Sequence, residues 1–300
     1  MSFSSEVKKE LSKIANLANK KLVKQELIGY LVSCNSSIIT KKKIRYATES
    51  EYNINRFSKL LTNLQIDHEI EIEGASFVIT INKKQIDFIK LEENKIKIGV
   101  EEQAEKSEEE HKAFIRGTFL GGGSINNPEN TYHLEIVYSS KENASLAKTI
   151  LSKYQIITKE LERKNKYSLY EKEAEQISNL LAFMGANRSV LNFEEIRVQK
   201  EMRGKVNRLV NCETANLTKT INASIEQIEA IKKLQETNQF NQLDDNLKEI
   251  ALLRLENPDM SLIELGKKLN QPVGKSGVNY RLKKIIELSN LPNWGRGEKW

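Results

Sequence analysis

Proline is scarce, with four residues in a chain of 300. No Gly/Ser tract accompanies it, so long disordered linkers are not expected. The two cysteines, Cys34 and Cys212, lie far apart and form no C-x-x-C pair, which argues against a disulfide scaffold or a thiolate zinc site. His68, His111 and His133 are scattered, with no H-E-x-x-H spacing. They read as surface or half-buried structural residues, so no metal and no cofactor is expected. No apolar run approaches the roughly 20 residues of a membrane span. The opening MSFSSEVKKELSKI lacks the apolar stretch of a secretory signal. A cytoplasmic protein without a membrane partner is the expectation.

Hydrophobic residues make up 39% and charged residues 29%, enough apolar material for real cores in two domains, or in one duplicated domain with an appendage. The net charge is +6, and five of those charges belong to residues 196–300. Between Lys267 and Lys284 there are six basic residues and no acid. Such a local excess is an electrostatic footprint of the kind that draws polyanions.

The chain is organised around residues 113–125, AFIRGTFLGGGSI. Gly117 stands inside an apolar helical pattern, where glycine costs about 1 kcal/mol relative to alanine. Its use there is close approach of another backbone. A second copy, ELIGYLVSCNSSI at 26–38, places Gly29 in the matching position, and the pair implies an internal duplication. The element order supports it. A helix at 21–34, hairpins at 36–48 and 68–81, and helices at 52–64 and 83–91 make the first half. A helix at 111–120, hairpins at 124–139 and 156–170, and helices at 141–154 and 173–184 make the second. The hairpin turns fall at Lys41-Lys42-Lys43, Gly74, Asn127-Pro128-Glu129-Asn130 and Lys164-Asn165-Lys166. A short helix at 6–17 precedes the first copy. The acidic stretch 92–110 reads as a linker or solvated helix start. From 192 to about 236 the chain is polar and helical. Asn207 with Asn211, and Arg208 with Cys212, lie on its i,i+4 rows; that face reads as a helix contact rather than a nucleic-acid contact.

The C-terminal unit has three helices, at 243–256, 262–269 and about 276–289. The first stops at Asn257-Pro258, and Ser261 with Glu264 forms a capping box for the second. This is a helix-turn-helix in outline, whose third helix enters the major groove. Its inward residues are Val278, Leu282, Ile285 and Ile286. Its other face carries Lys275, Ser276, Asn279, Tyr280, Lys283 and Lys284. Asn279 suits adenine and Lys275 guanine. Arg281, Lys283, Lys284, Lys267 and Lys268 suit phosphates, which position without reading sequence. Small basic three-helix units also dock proteins, but the acid-free run favours DNA.

Gly121-Gly122-Gly123 lacks the lysine and hydroxyl of a phosphate loop and follows a helix instead of preceding one. A tight helix-to-strand junction is its expected use. The paired segments resemble the LAGLIDADG motifs of homing endonucleases. That resemblance implies an α+β fold: two αββαββα halves whose two four-stranded sheets form a saddle, followed here by an all-α helix-turn-helix. In such enzymes an acid at the foot of each paired helix binds the catalytic metal. The matching positions are Cys34 and Gly122, neither an oxygen ligand suited to Mg²⁺, so no catalytic residue and no nuclease activity is expected. A degenerate LAGLIDADG domain with a C-terminal helix-turn-helix is similar to the WhiA family, as are the opening MSFSSEVKKEL and the stretch NRLVNCETAN. This implies a DNA-binding regulator of sporulation and cell-division genes, associated with the nucleoid. Its partners would be promoter DNA and, in addition, RNA polymerase or another regulator. The domains are then 1–92 and 111–190 for the two halves, 93–110 for the linker, 191–240 for a helical connector and 241–300 for the helix-turn-helix. Two alternatives are a surviving nuclease using Glu26 or Glu135, and a scaffold that docks a polymerase or division protein.

Overall fold

The computed structural model describes residues 2–40, 43–92, 95–98, 103, 105–163 and 166–291. The chain divides into two compact units, Met1–Met202 and Arg203–Trp300.

The first unit is built on two central helices, α2 (Lys20–Val32) and α4 (Glu108–Gly122). Nearly every residue of α2 from Gln25 onward, and of α4 from Ala113 to Gly121, is buried. A helix that is apolar on all sides has to lie inside a fold, and these two lie against each other. Their seam has almost no thickness at Gly29 and Gly117. A methyl group on Gly29 would strike the Phe114 carbonyl oxygen, and one on Gly117 would strike that of Glu26.

Each half then adds two hairpins and a covering helix. Strands β1 (Ser36–Thr40), β2 (Lys43–Thr48), β3 (His68–Glu73) and β4 (Ser76–Asn82) form an antiparallel sheet in the order β1-β2-β4-β3. Strands β7 (Gly123–Ile125), β8 (Leu134–Tyr138), β9 (Lys159–Arg163) and β10 (Lys166–Glu171) repeat it as β7-β8-β10-β9. Helices α3 (Glu51–Asn63) and α5 (Lys141–Lys153) start and stop alike. Ser50 and Ser140 accept from the amides of Asn53 and Asn143. Gln65 and Gln155 both take positive φ, 59° and 60°. The next amides, of Ile66 and Ile156, reach back to Leu61 and Leu151 at 3.0 and 3.1 Å, which is the bonding of a left-handed helix stop.

The sheets bury one face each through alternation. Ile44, Tyr46, Ile79 and Ile81 point inward from the first, and Leu134, Ile136, Tyr138 and Leu169 from the second. Helix α6 (Ala174–Met184) closes the second half. The first half differs. The helix expected over 83–91 is one turn of 3₁₀ helix, Lys83–Gln85, begun by the Asn82 side chain accepting from the Lys84 amide. The chain then extends into β5 (Lys90–Glu92), which pairs with β6 (Lys95–Lys97). The run Ile86-Asp87-Phe88-Ile89 at its centre consists of residues that favour helix only weakly. Burial of Ile86 and Ile89 is met equally well by extended chain.

Two further expectations are corrected. Helix α1 spans Phe3–Leu11, capped by Ser2, instead of 6–17. Of the two readings of the acidic stretch, the solvated helix start holds at its end, where Glu108 and Glu109 are exposed, while the plain linker does not: Ile96 is buried, and the Gln103 carbonyl oxygen lies 2.8 Å from Nε2 of buried His111. α4 begins there behind a capping box of Ser107 and Glu110. Of the expected turns, Lys41, Lys42, Lys164 and Asn165 lie outside the described residues. Gly74 turns with φ 61°, and the Asn130 amide closes on the Asn127 carbonyl at 3.0 Å.

Helix α7 runs unbroken from Asn187 to Glu236. At its start the Glu10 carboxylate accepts from the amides of Arg188 and Ser189, a charge suited to a helix N-terminus. At its other end Ala230, Ile231 and Leu234 join the core of the second unit, which is completed by α8 (Asp245–Glu256), α9 (Leu262–Lys268) and α10 (Lys275–Ser289).

Candidate nucleic-acid interface

The α9–turn–α10 corner is set by Gly266. A methyl there would collide with the Val273 carbonyl oxygen, to which the chain returns after the turn; the Val273 amide donates to the Gly266 carbonyl at 3.2 Å. The Ser261/Glu264 capping box starts α9, with the Ser261 amide donating to Glu264 at 3.0 Å. Arg254 is buried, and its Nη1 donates to the carbonyls of Pro258 and Met260 at 3.1 and 2.8 Å, tying the loop that leads into α9. Burial pulls the pKa of this guanidinium below its ordinary value. Val278, Leu282 and Ile285 face inward against Leu247, Ile250 and Leu265, with Ile286 half-buried beside them.

The remaining face of α10 is wet. Lys275, Ser276, Tyr280, Lys283 and Lys284 are exposed, Tyr280 to 67%. Ser276, Tyr280 and Lys284 form one i,i+4 row, and Lys275, Asn279 and Lys283 the adjacent one. Asn279 is half-buried, so less of its amide edge is open than the sequence led one to expect. Arg281 is half-buried on the far flank of the helix, and its Nη1 is buried; it is not part of the lysine rows. Lys267 and Lys268 are exposed on α9, and Lys268 Nζ donates to Asn257 Oδ1 at 3.2 Å. The N-cap of α10 is Gly274, which offers no side-chain hydrogen bond, so first-turn amides are left to bind an anion.

In the first unit, the feet of α2 and α4 converge on Val137 of β8. Its carbonyl oxygen accepts from the Cys34 amide at 3.0 Å and lies 2.5 Å from where a Cβ on Gly122 would sit. Backbone therefore occupies the space an acidic side chain would need at Gly122. At Cys34 burial pushes the thiol pKa up, while Lys166 and Lys8 act on it from nearby with opposite effect. A thiol beside two ammonium groups does not fit a hard divalent cation. Among the described residues, no group of three or more His, Cys, Asp and Glu side chains is placed to hold a metal.

Glu26, the alternative metal ligand suggested by the sequence, is fully buried and spoken for. It accepts from Arg56 Nε at 2.7 Å, Arg116 Nε at 3.0 Å and Asn16 Nδ2 at 2.9 Å. Burial pushes its pKa up, but hydrogen bonds from Arg56 and the charges of Arg116 and Arg56 outweigh this and hold it low. Glu135 lies on the outward face of β8, opposite Ser124 and Tyr170, with His133 Nε2 at 3.9 Å.

The outward faces of the two sheets carry unequal charge. On the first, edge strand β3 presents Glu69, Glu71 and Glu73 in alternation, with Arg45 bound to Glu73 at 2.6 Å. On the second, Lys159, Arg163 and Lys166 share the outward face with Glu135. Sequence reading missed this asymmetry, the buried arginines Arg56, Arg116 and Arg254, and Gly266. The β3 alternation EIEIE was a visible signal; for the arginines nothing local marks burial.

Known proteins divide along the same boundary. Residues 111–203 match the WhiA LAGLIDADG-like domain and residues 206–289 the WhiA C-terminal HTH domain. The "Probable cell division protein WhiA" of Clostridium beijerinckii is 40% identical over 313 residues, covering 96% of this chain and 98% of the relative. A protein of the same name from Thermoanaerobacter pseudethanolicus is 51% identical over 195 residues, 65% of this chain and 61% of the relative. Full-length DUF199/WhiA from Thermatoga maritima superposes with a TM-score of 0.62 at 29% identity, covering 96% of this chain and 98% of that one. A duplicated LAGLIDADG-like fold joined to a helix-turn-helix, and a relative alike along nearly its whole length, lead to one assignment: this chain belongs to the WhiA family.

Proposed function

We propose that this protein is a non-catalytic DNA-binding transcription regulator of cell-division and sporulation-type genes, holding promoter DNA mainly through α10. The observation that carries the reading is the exposed, acid-free set Lys267, Lys268, Lys275, Lys283 and Lys284 around an α10 start without a side-chain cap. Ser276, Tyr280 and Asn279 are then the residues nearest base edges, and the lysines hold phosphates. The three outward glutamates of β3 oppose a phosphate backbone, which favours α10 over the first sheet as the principal contact. The relatives' name, cell division protein, supports the class of genes. Such a protein works in the cytoplasm at the nucleoid, with RNA polymerase or another regulator as a further partner. Among the described residues no helix is long and apolar enough to cross a membrane.

The test is binding of the full chain to promoter fragments at several salt concentrations. Neutralising about six phosphates gives a log–log slope near −5; an affinity indifferent to salt would point to protein docking instead. Genome-wide mapping of bound DNA tests the gene class. Supercoiled plasmid with Mg²⁺ or Mn²⁺ should stay intact, because Glu26 is neutralised and the feet of α2 and α4 carry no carboxylate.

A further inference from the structure

From Arg203 to Ala223 every residue of α7 is exposed except half-buried Gly204. The helix contact that the sequence suggested for Asn207, Asn211, Arg208 and Cys212 is therefore not made among the described residues. A helix that only bridges through water is best built of strong helix formers. This one instead carries Asn207, Asn211, Thr214, Thr218 and Asn222, types that favour helix weakly because they compete for backbone groups or lose rotamer freedom. At 3.6 residues per turn the five fall within about 80° of the circumference, in a stripe about 22 Å long. Thr218 donates to the Thr214 carbonyl at 2.9 Å, which leaves its oxygen to accept from outside. Asn216 and Thr220, on the other side of the helix, turn to their own chain: Asn216 donates to Cys212 Sγ at 3.8 Å and Thr220 to the Asn216 carbonyl at 2.9 Å.

The charges follow the stripe. From 203 to 225 there are four cations, Arg203, Lys205, Arg208 and Lys219, and one acid, Glu213. By helical spacing Arg208 and Lys219 border the stripe on one side and Arg203 on the other, whereas Glu213 points about 140° away from its centre. Amides and hydroxyls edged with guanidinium and ammonium groups complement a polyanion that offers hydrogen-bonding edges. A protein partner would be gripped by large apolar anchors, and the stripe has none. The helix-turn-helix match begins at residue 206 and takes in the stripe together with α10, and both lie in the second unit.

We propose that this face of α7 is a second contact surface for duplex DNA, with Arg208 and Lys219 on phosphates and Asn207 and Asn211 at base edges. The proposal rests on the reading of the chain as a DNA binder and extends its contact beyond α10.

The test uses the full chain and fluorescence anisotropy on a promoter duplex and on a scrambled duplex of equal length. Arg208→Ala with Lys219→Ala should weaken binding to both about tenfold and make the log–log salt slope shallower by about 1.8, two phosphates at 0.9 each. Asn207→Ala with Asn211→Ala should leave the slope in place and lower the preference for the promoter about tenfold. Alanine is the strongest helix former, so these losses are not losses of folding, and circular dichroism should show an unchanged helical signal. Asn216→Ala with Thr220→Ala should bind as the parent does. Stripe variants that bind like the parent, while alanine at Lys283 and Lys284 weakens binding, would sink this proposal and leave the reading of α10 standing. Equal losses from the stripe and from the Asn216/Thr220 pair would also overturn it. A full chain that binds neither duplex would overturn both readings.

Discussion

Glu26 and Arg116, ninety residues apart, meet at 3.0 Å inside the seam between α2 and α4, and Arg56 closes on the same carboxylate from α3. The contact joins the two halves of the duplication, but it is not itself duplicated: the positions matching Glu26 and Arg116 by the glycine offset are Phe114 and Ile28. Removing the acid leaves two buried guanidinium groups facing each other. Glu26→Ala should destabilise the fold by about 3–5 kcal/mol, read as a lower denaturant midpoint. Because the Glu26 pKa is depressed in the fold, its stabilisation is complete above the ordinary carboxylate range and is lost as pH falls through the folded value. Glu26→Gln should therefore flatten the acid limb of the stability curve; an unchanged limb would contradict this.

The glycines of the seam and the glycine of α7 should respond oppositely to a methyl group. Gly117→Ala drives Cβ into the Glu26 carbonyl, and overpacking of that kind costs about 1–3 kcal/mol. At Gly204 the nearest atom to a Cβ is Arg208 Nη1 at 3.7 Å. Gly204→Ala should stabilise α7 by about 0.5–1 kcal/mol. Paired thermal melts decide, and equal effects would remove the case for a seam that excludes side chains.

Restoring acids at the feet of the central helices should not restore a metal site. Gly122→Asp places Cβ 2.5 Å from the Val137 carbonyl oxygen, while Cys34→Asp remains beside Lys8 and Lys166. The double variant should melt lower than the parent and show no Mg²⁺-dependent rise in Tm. A metal-dependent rise, or nicked plasmid, would mean that β8 yields more readily than its hydrogen bonds suggest.

Alanine at Lys275, Lys283 and Lys284 should weaken binding to all DNA alike and make the salt slope shallower by about 0.9 for each phosphate left unneutralised. Ser276→Ala and Tyr280→Phe should act differently, relaxing preference at single base positions by about 1–3 kcal/mol while leaving the slope in place. Fluorescence anisotropy on matched and mismatched duplexes separates the two.

Loss of the Ser261 hydroxyl removes one bond of the α9 capping box, the Glu264 amide to Ser261 at 3.3 Å. Ser261→Ala should cost about 1 kcal/mol and weaken DNA binding only as far as it loosens the corner, so the loss should vanish at low temperature.

Much of this protein was readable from local pattern. Two glycines in apolar helical segments announced the seam. Alternating apolar residues marked the hairpins. A capping box, Asn257-Pro258 and an acid-free run outlined the helix-turn-helix. The repeated Gln-Ile at the ends of α3 and α5 could have strengthened the duplication, since both glutamines adopt the same left-handed stop. These features are legible because periodicity, caps and glycine placement act within a few residues of chain.

The sequence by itself determined the order of helices and hairpins shared by the two halves, that the fold is doubled, and that Cys34 and Gly122 stand at the feet of the paired helices. Only tertiary structure decided that Arg56, Arg116 and Arg254 are interior residues, that 83–91 extends instead of coiling, that Arg281 leaves the lysine face of α10, and that Glu69, Glu71 and Glu73 face outward from the first sheet while Lys159, Arg163 and Lys166 do so from the second. Burial and charge pairing depend on what other parts of the chain bring alongside, and no local window contains that.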